Sequence, residues 1–177
     1  MAFTEQAPGV AANTPLETQG FTLNHSMVRI KSPERALAFY THVFGMRLIR
    51  KLDFPEMKFT LYFLGNIDET TTVPENAAER NEWTFSQRGL LELTHNWGAE
   101  EDPELTYHNG NSEPQGYGHI CFAVPDIKAA TAWFDANNVF FIKRPDQGKM
   151  QDVAFVQDPD GYWIEIVQPS LNRRLGL

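Results

Sequence analysis

The chain has 177 residues, 42% of them hydrophobic and 12% aromatic, which suits one large domain or two small modules sharing a core and excludes a disordered polypeptide. Its 23 acidic residues against 15 basic ones leave a formal net charge of -8, which speaks against nucleic-acid or anionic-membrane binding but allows a local basic pocket for an acidic small molecule. The single cysteine, Cys121, excludes an intrachain disulfide, and no apolar run approaches the roughly 20 residues that cross a bilayer.

Residues 1–20 mix Ala, Gly, Pro, Thr and Gln without a period and read as a flexible N-terminal arm. They show no basic stretch ahead of an apolar one, so no secretory signal is read and the cytoplasm is the expected location. Residues 21–30 read as a strand whose period of two sets His25, Met27 and Arg29 on one face. Ser32 and Pro33 open a helix with an apolar stripe of Ala36, Leu37, Phe39, Tyr40, Val43 and Phe44, and Gly45 stops it. Strands follow at 46–54 and 57–64, joined at Pro55-Glu56. Residues 65–88 are polar and read as an excursion between strands. Residues 89–96 form another strand, in which Glu92 sits between Leu91 and Leu93 and therefore faces away from them.

After a polar linker at 97–115 the order repeats over 116–169, and residues 170–177 form a tail. A strand carries His119, and Asp126 caps a helix over 127–136. Strands follow at 139–142, 150–157 and 162–167, the last two joined by Asp158-Pro159-Asp160-Gly161. Glu165 sits between Ile164 and Ile166, as Glu92 sits between leucines. Setting His25 over His119 aligns the strands and helices that follow without a gap. The chain is thus an α+β protein of paired βαβββ modules, 21–96 and 116–169, each with His on its first strand and Glu on its last. The His-to-Glu separation is 67 residues in the first module and 46 in the second, and the excursion at 65–88 accounts for the difference.

His25, Glu92, His119 and Glu165 make a two-His, two-Glu set suited to Zn²⁺, Ni²⁺, Co²⁺ or Fe²⁺. Two carboxylates on inner sheet faces are costly to bury, and a metal relieves that cost.

Longer motifs sharpen the reading. Asp53-Phe54-Pro55-Glu56-Met57-Lys58-Phe59, Leu91-Glu92-Leu93-Thr94-His95-Asn96-Trp97-Gly98, Tyr107-His108-Asn109-Gly110-Asn111, Gly118-His119-Ile120 and the stretch from Asp158 to Ile166 resemble the glyoxalase I (lactoylglutathione lyase) family of the vicinal oxygen chelate superfamily. The resemblance covers about residues 20–169. It implies a homodimer with active sites at the subunit interface, where His25 and Glu92 of one chain meet His119 and Glu165 of the other. It implies isomerisation of the methylglyoxal–glutathione hemithioacetal to S-D-lactoylglutathione through a metal-stabilised enediolate. Glu165 is then the principal base, with Glu92 as ligand or partner acid/base.

By the same resemblance Arg29, Asn96, Lys143, Gly148, Lys149 and Met150 contact glutathione. Arg29 and Lys143 answer its two carboxylates. Trp163, with Phe63, Phe155 and other apolar residues, surrounds the methyl group. Where many eukaryotic-type members carry an arginine, this chain has Gln115, which removes one carboxylate contact. Zn²⁺ is the expected metal, because the excursion and the long linker resemble the zinc-activated class, with Ni²⁺ or Co²⁺ as alternatives. The competing readings are an extradiol dioxygenase, which uses two His and one carboxylate on iron, and a metal-containing protein that binds glutathione conjugates without turnover.

Overall fold

A computed structural model describes residues 7–148 and 152–171. Two four-stranded mixed sheets carry the fold. The first contains β1 (His25–Ile30), β2 (Arg47–Phe54), β3 (Phe59–Gly65) and β4 (Leu90–Asn96) in the order β1-β4-β3-β2. The second contains β5 (His119–Ala123), β6 (Phe141–Lys143), β7 (Val153–Gln157) and β8 (Trp163–Val167) in the equivalent order β5-β8-β7-β6. In each sheet the first and last strands are parallel neighbours, so the histidine of one lies beside the glutamate of the other. The paired α+β modules read from the sequence are therefore present.

Local chemistry sets the helix ends. Ser32 Oγ accepts the Arg35 N–H and Pro33 occupies the first turn of α1 (Pro33–Ala38), which widens into a π-helical turn at Phe39–Val43. Gly45 then takes a φ of 65°, a conformation that glycine reaches at little cost. A second helix, α2 (Ala77–Ser86), lies between β3 and β4, and α3 (Ile127–Ala136) follows β5. The Asp126 carboxylate accepts the N–H groups of Lys128 and Ala129 at the start of α3.

Several element ends shift by a residue or two, β3 starting at Phe59 rather than 57 and β6 running Phe141–Lys143 rather than 139–142, and three larger differences have local causes. The first strand begins at His25 rather than 21, because its partner β4 begins at Leu90, opposite His25; Phe21 and Leu23 are left exposed. The excursion at 65–88 contains α2. Asn76 caps that helix by accepting the Ala78 and Glu79 N–H groups, but its surface is mostly polar, which hid its period. In the second module, β7 begins at Val153, after Asp152 with a φ of 70°.

The two modules share one core. Val28 and Ile30 of β1, Leu91 and Leu93 of β4, and Tyr40 pack in one cluster with Ile127, Phe134, Val156, Ile164 and Ile166. Phe44 packs against Phe122 with ring centroids 4.5 Å apart and planes tilted by 44°, and Trp133 Nε1 donates to the Val43 carbonyl at 2.9 Å. The sheets thus meet through the faces that carry α1 and α3, while α2 packs on the other face of the first sheet. The opposite faces, bearing His25 and Glu92 in one module and His119 and Glu165 in the other, remain available for chemistry.

Candidate metal and active site

Parallel pairing places Met27 opposite Glu92 and Cys121 opposite Glu165. Antiparallel pairing places Phe63 and Phe155 on the other side of the same glutamates. The result is one cluster built twice. His25 Nε2 lies 3.2 Å from Glu92 Oε2, and His119 Nε2 lies 3.3 Å from Glu165 Oε2. Phe63 meets the His25 ring edge-on at 5.4 Å and 83°, and Phe155 meets the His119 ring at 5.4 Å and 81°. Each phenyl ring buries one side of an imidazole and leaves its Nε2 toward the carboxylate.

The hydrogen bonds around His25 bear on a metal. The Asn24 amide nitrogen donates to the carbonyls of Thr84 at 3.1 Å and Gln87 at 2.9 Å, so its oxygen is the atom 2.6 Å from His25 Nδ1. An amide oxygen only accepts, so Nδ1 carries hydrogen. The Nε2 of a neutral His25 then presents a lone pair to a carboxylate oxygen. A lone pair and a carboxylate oxygen at this distance fit a shared divalent metal, and without one an Nε2–H would satisfy the same carboxylate. Thr94 Oγ1 donates to Glu92 Oε1 at 2.9 Å and fixes that carboxylate.

Glu165 is held less firmly. Its side chain is 20% exposed against 11% for Glu92. Its neighbour Cys121 has its thiol pushed up to about 11 by burial and then by the hydrogen bond and charge of Glu165, so the sulfur stays protonated at neutral pH. That excludes Cys121 as a resting thiolate nucleophile.

Among the described residues, no three His, Cys, Asp or Glu side chains converge on one metal position. The chain by itself brings the four sequence-read ligands together as two pairs, not as one set of four.

The other sequence-read residues separate by module. Arg29 and Asn96 lie on the strands and face that hold His25 and Glu92, four residues further along, or about 13 Å. Burial pushes the Tyr107 hydroxyl up, and the nearby Arg29 charge and Asn96 side chain pull the other way. Lys143, in the second module, donates from Nζ to the carbonyls of Arg144 and Val153, close to Gly148. Trp163 lies opposite His119, its ring 5.9 Å from that of Phe155. Lys149 and Met150 fall outside the described residues. Sequence reasoning missed Asn24 and Thr94. Thr94 was within reach, since it follows Glu92 by two on one strand face. Asn24 was not, because its partners are main-chain carbonyls about 60 positions away.

A family model described as the Glyoxalase/Bleomycin resistance protein/Dioxygenase superfamily matches residues 22–166. The chain belongs to this glyoxalase superfamily. Among its relatives, the lactoylglutathione lyase of Pseudomonas aeruginosa is 51% identical over 98% of this chain and 97% of its own. Glyoxalase I of Saccharomyces cerevisiae is 45% identical over 89% of this chain, a match that spans 46% of the yeast chain. In structure, the trypanothione-dependent glyoxalase I of Leishmania major superposes with a TM-score of 0.64 at 30% identity, covering 89% of this chain and 93% of that one. This glyoxalase-superfamily architecture matches the paired modules described above.

Proposed function

We propose that the chain is a glutathione-dependent lactoylglutathione lyase, a metal-dependent enzyme that isomerises the methylglyoxal–glutathione hemithioacetal to S-D-lactoylglutathione. The observation that carries this reading is the duplicated His–Glu–Phe cluster, in a chain 51% identical to a lactoylglutathione lyase along nearly its whole length.

The reaction relocates two hydrogens. The C1–H proton leaves to the base, its electron pair forms a C1–C2 double bond and the C2 carbonyl π pair moves onto O2. The C1 hydroxyl then gives up its proton, the C1 carbonyl forms as C2 takes a proton, and O2 is protonated, so C1 becomes the thioester carbonyl and C2 the alcohol. Glu165 suits the base. It is the more exposed carboxylate and lacks the threonine donor that pins Glu92, so it has room to approach C1 and carry the proton. Glu92 suits a fixed ligand and the partner acid/base. A divalent cation held by His25, Glu92, His119 and Glu165 supplies positive charge beside the two vicinal oxygens, where negative charge develops. Zn²⁺ is the proposed ion, with Ni²⁺ or Co²⁺ as alternatives.

Arg29 and Asn96 offer a cation and an amide about 13 Å from the His25–Glu92 pair, a span suited to the arms of an extended tripeptide. Lys143, Gly148, Lys149 and Met150 are proposed for its other carboxylate side, and Trp163 with Phe155 for the methyl group. Two copies complete the set of four ligands in this proposal. The length of the yeast relative, of which one copy of this chain spans less than half, supports a paired arrangement. A substrate built from glutathione supports the glutathione-rich cytoplasm as the proposed location.

The test is direct measurement of S-lactoylglutathione from the preformed hemithioacetal, using metal-stripped protein reloaded with Zn²⁺, Ni²⁺ or Co²⁺. Thioester formation with at least one ion, and a loss of about 10³-fold in Glu165→Gln with an unchanged circular dichroism spectrum, are expected. Tight binding of glutathione conjugates without thioester formation under all three ions overturns the assignment.

A further inference from the structure

Asn24 joins two parts of the molecule that lie far apart in sequence. Its amide nitrogen is clamped by the Thr84 carbonyl in the last turn of α2 and by the Gln87 carbonyl just beyond it, at 3.1 and 2.9 Å. The clamp leaves its oxygen 2.6 Å from His25 Nδ1. The last turn of a helix has carbonyls without intrahelical partners, so α2 offers acceptors where Asn24 needs them. The β1–β4 ladder fixes the backbone here as well, since the Leu90 N–H donates to the Asn24 carbonyl at 2.8 Å. The amide orientation is therefore determined, and with it the hydrogen on the imidazole.

The second module has no equivalent. In the gapless alignment of the two histidines, Gly118 stands where Asn24 stands and has no side chain. The second module also lacks an insertion corresponding to α2, because β7 and β8 are joined by the short turn at Asp158. Two clusters with nearly the same His–Glu distance and ring geometry thus differ in what stands behind the histidine.

We propose that Asn24, clamped by the end of α2, is a positioning residue that fixes His25 in its Nδ1–H tautomer and holds the Nε2 lone pair ready for a divalent cation. The inserted helix then serves the metal site without touching metal or substrate. This rests on the metal-site reading but not on the identity of the substrate. Free histidine favours hydrogen on Nε2, so the bond to Asn24 selects the minor form, and losing it returns His25 to the form that must be rearranged before it can ligate.

The experiment uses metal-free, full-length protein labelled with ¹⁵N-histidine, at about pH 9, where an ordinary imidazole is neutral. Long-range ¹H–¹⁵N spectra report which ring nitrogen of His25 bears hydrogen, with His25→Gln used for assignment. Wild type is expected to show hydrogen on Nδ1. Asn24→Ala is expected to move His25 toward hydrogen on Nε2 while the His119 signals stay in place. Zn²⁺ affinity, read by competition with a chromogenic chelator, is expected to fall about 10- to 100-fold. Asn24→Asp keeps an acceptor for Nδ1–H but loses the two amide donors; it should retain the wild-type tautomer with a lower thermal midpoint. A wild-type His25 with hydrogen on Nε2 overturns the proposal even if Asn24→Ala fails to fold. So does an Asn24→Ala protein with unchanged His25 signals, whether or not its Zn²⁺ affinity or thermal midpoint moves. Neither readout involves thioester formation, so a failed lyase assay and a failed tautomer assignment are separate results.

Discussion

At the scale of single residues, the clusters depend on pairs of opposite function. Phe63 and Phe155 orient imidazoles through ring edges, while Glu92 and Glu165 provide charge. The two carboxylates sit on equivalent strands, but Thr94 restrains only the first, and the proposed division between a fixed ligand and a mobile base rests on that difference. Gln115 marks a third residue-scale choice. It is exposed on the loop that leads into β5 and carries no charge for a glutathione carboxylate. Gln115→Arg is expected to lower KM for the hemithioacetal about fivefold, roughly 1 kcal/mol for an exposed ion pair, with little change in kcat. Steady-state kinetics at low and high salt check this: the gain should shrink as salt screens the pair, and an unchanged or higher KM refutes it.

At the scale of elements, the turn between β7 and β8 does more than reverse the chain. Asp158 Oδ1 accepts the N–H groups of Asp160 and Tyr162, both at 2.9 Å, and its Oδ2 accepts the Tyr40 hydroxyl of the first module at 2.7 Å. Lys31 N–H donates to Asp160 Oδ1 at 2.8 Å, a second bond between the modules. Burial pushes the Asp158 carboxyl from 3.8 up to about 6, while its bond from Tyr40 pulls the other way. A carboxyl raised on folding stabilises the protein when protonated in both states, and that contribution is lost as pH rises from about 4 to about 6. The loss is on the order of 3 kcal/mol. In urea unfolding at about pH 4 and pH 6.5, Asp158→Asn is expected to remove this part of the pH dependence. It should also cost about 1–3 kcal/mol at neutral pH, because one oxygen must replace two as acceptor. A pH slope identical to that of wild type excludes Asp158 as its source.

The same turn shows what the sequence could and could not reveal. Asp-Pro-Asp-Gly announced a reversal through local backbone preferences, and the period of two exposed Glu92 and Glu165 between apolar neighbours. Those are local properties. The Tyr40–Asp158 bond, the Asn24 clamp and the docking of α2 are long-range, set only once the sheets are in register. α2 escaped notice because its apolar contacts are few, Trp83 on the cluster of Ile49, Phe63 and Leu90 and Phe85 edge-on to Phe63, too narrow a stripe to stand out in a polar segment.

At the scale of the whole molecule, the shared core turns the α1 and α3 faces inward, and no third His, Cys, Asp or Glu joins either His–Glu pair among the described residues. If two copies join so that each site takes His25 and Glu92 from one chain and His119 and Glu165 from the other, inactive variants should rescue each other. Glu92→Gln and Glu165→Gln are each expected to be inactive alone. After mixing in denaturant and refolding together, half of the dimers should be hybrids. In each hybrid, one site carries both substitutions and the other carries neither. The mixture is then expected to recover about a quarter of wild-type activity, with sedimentation giving the mass of a dimer. A site built within one chain leaves every site in the mixture with one substitution, so no recovery in a verified hybrid rules out shared sites. Full activity in a protein that sediments only as a monomer rules them out independently.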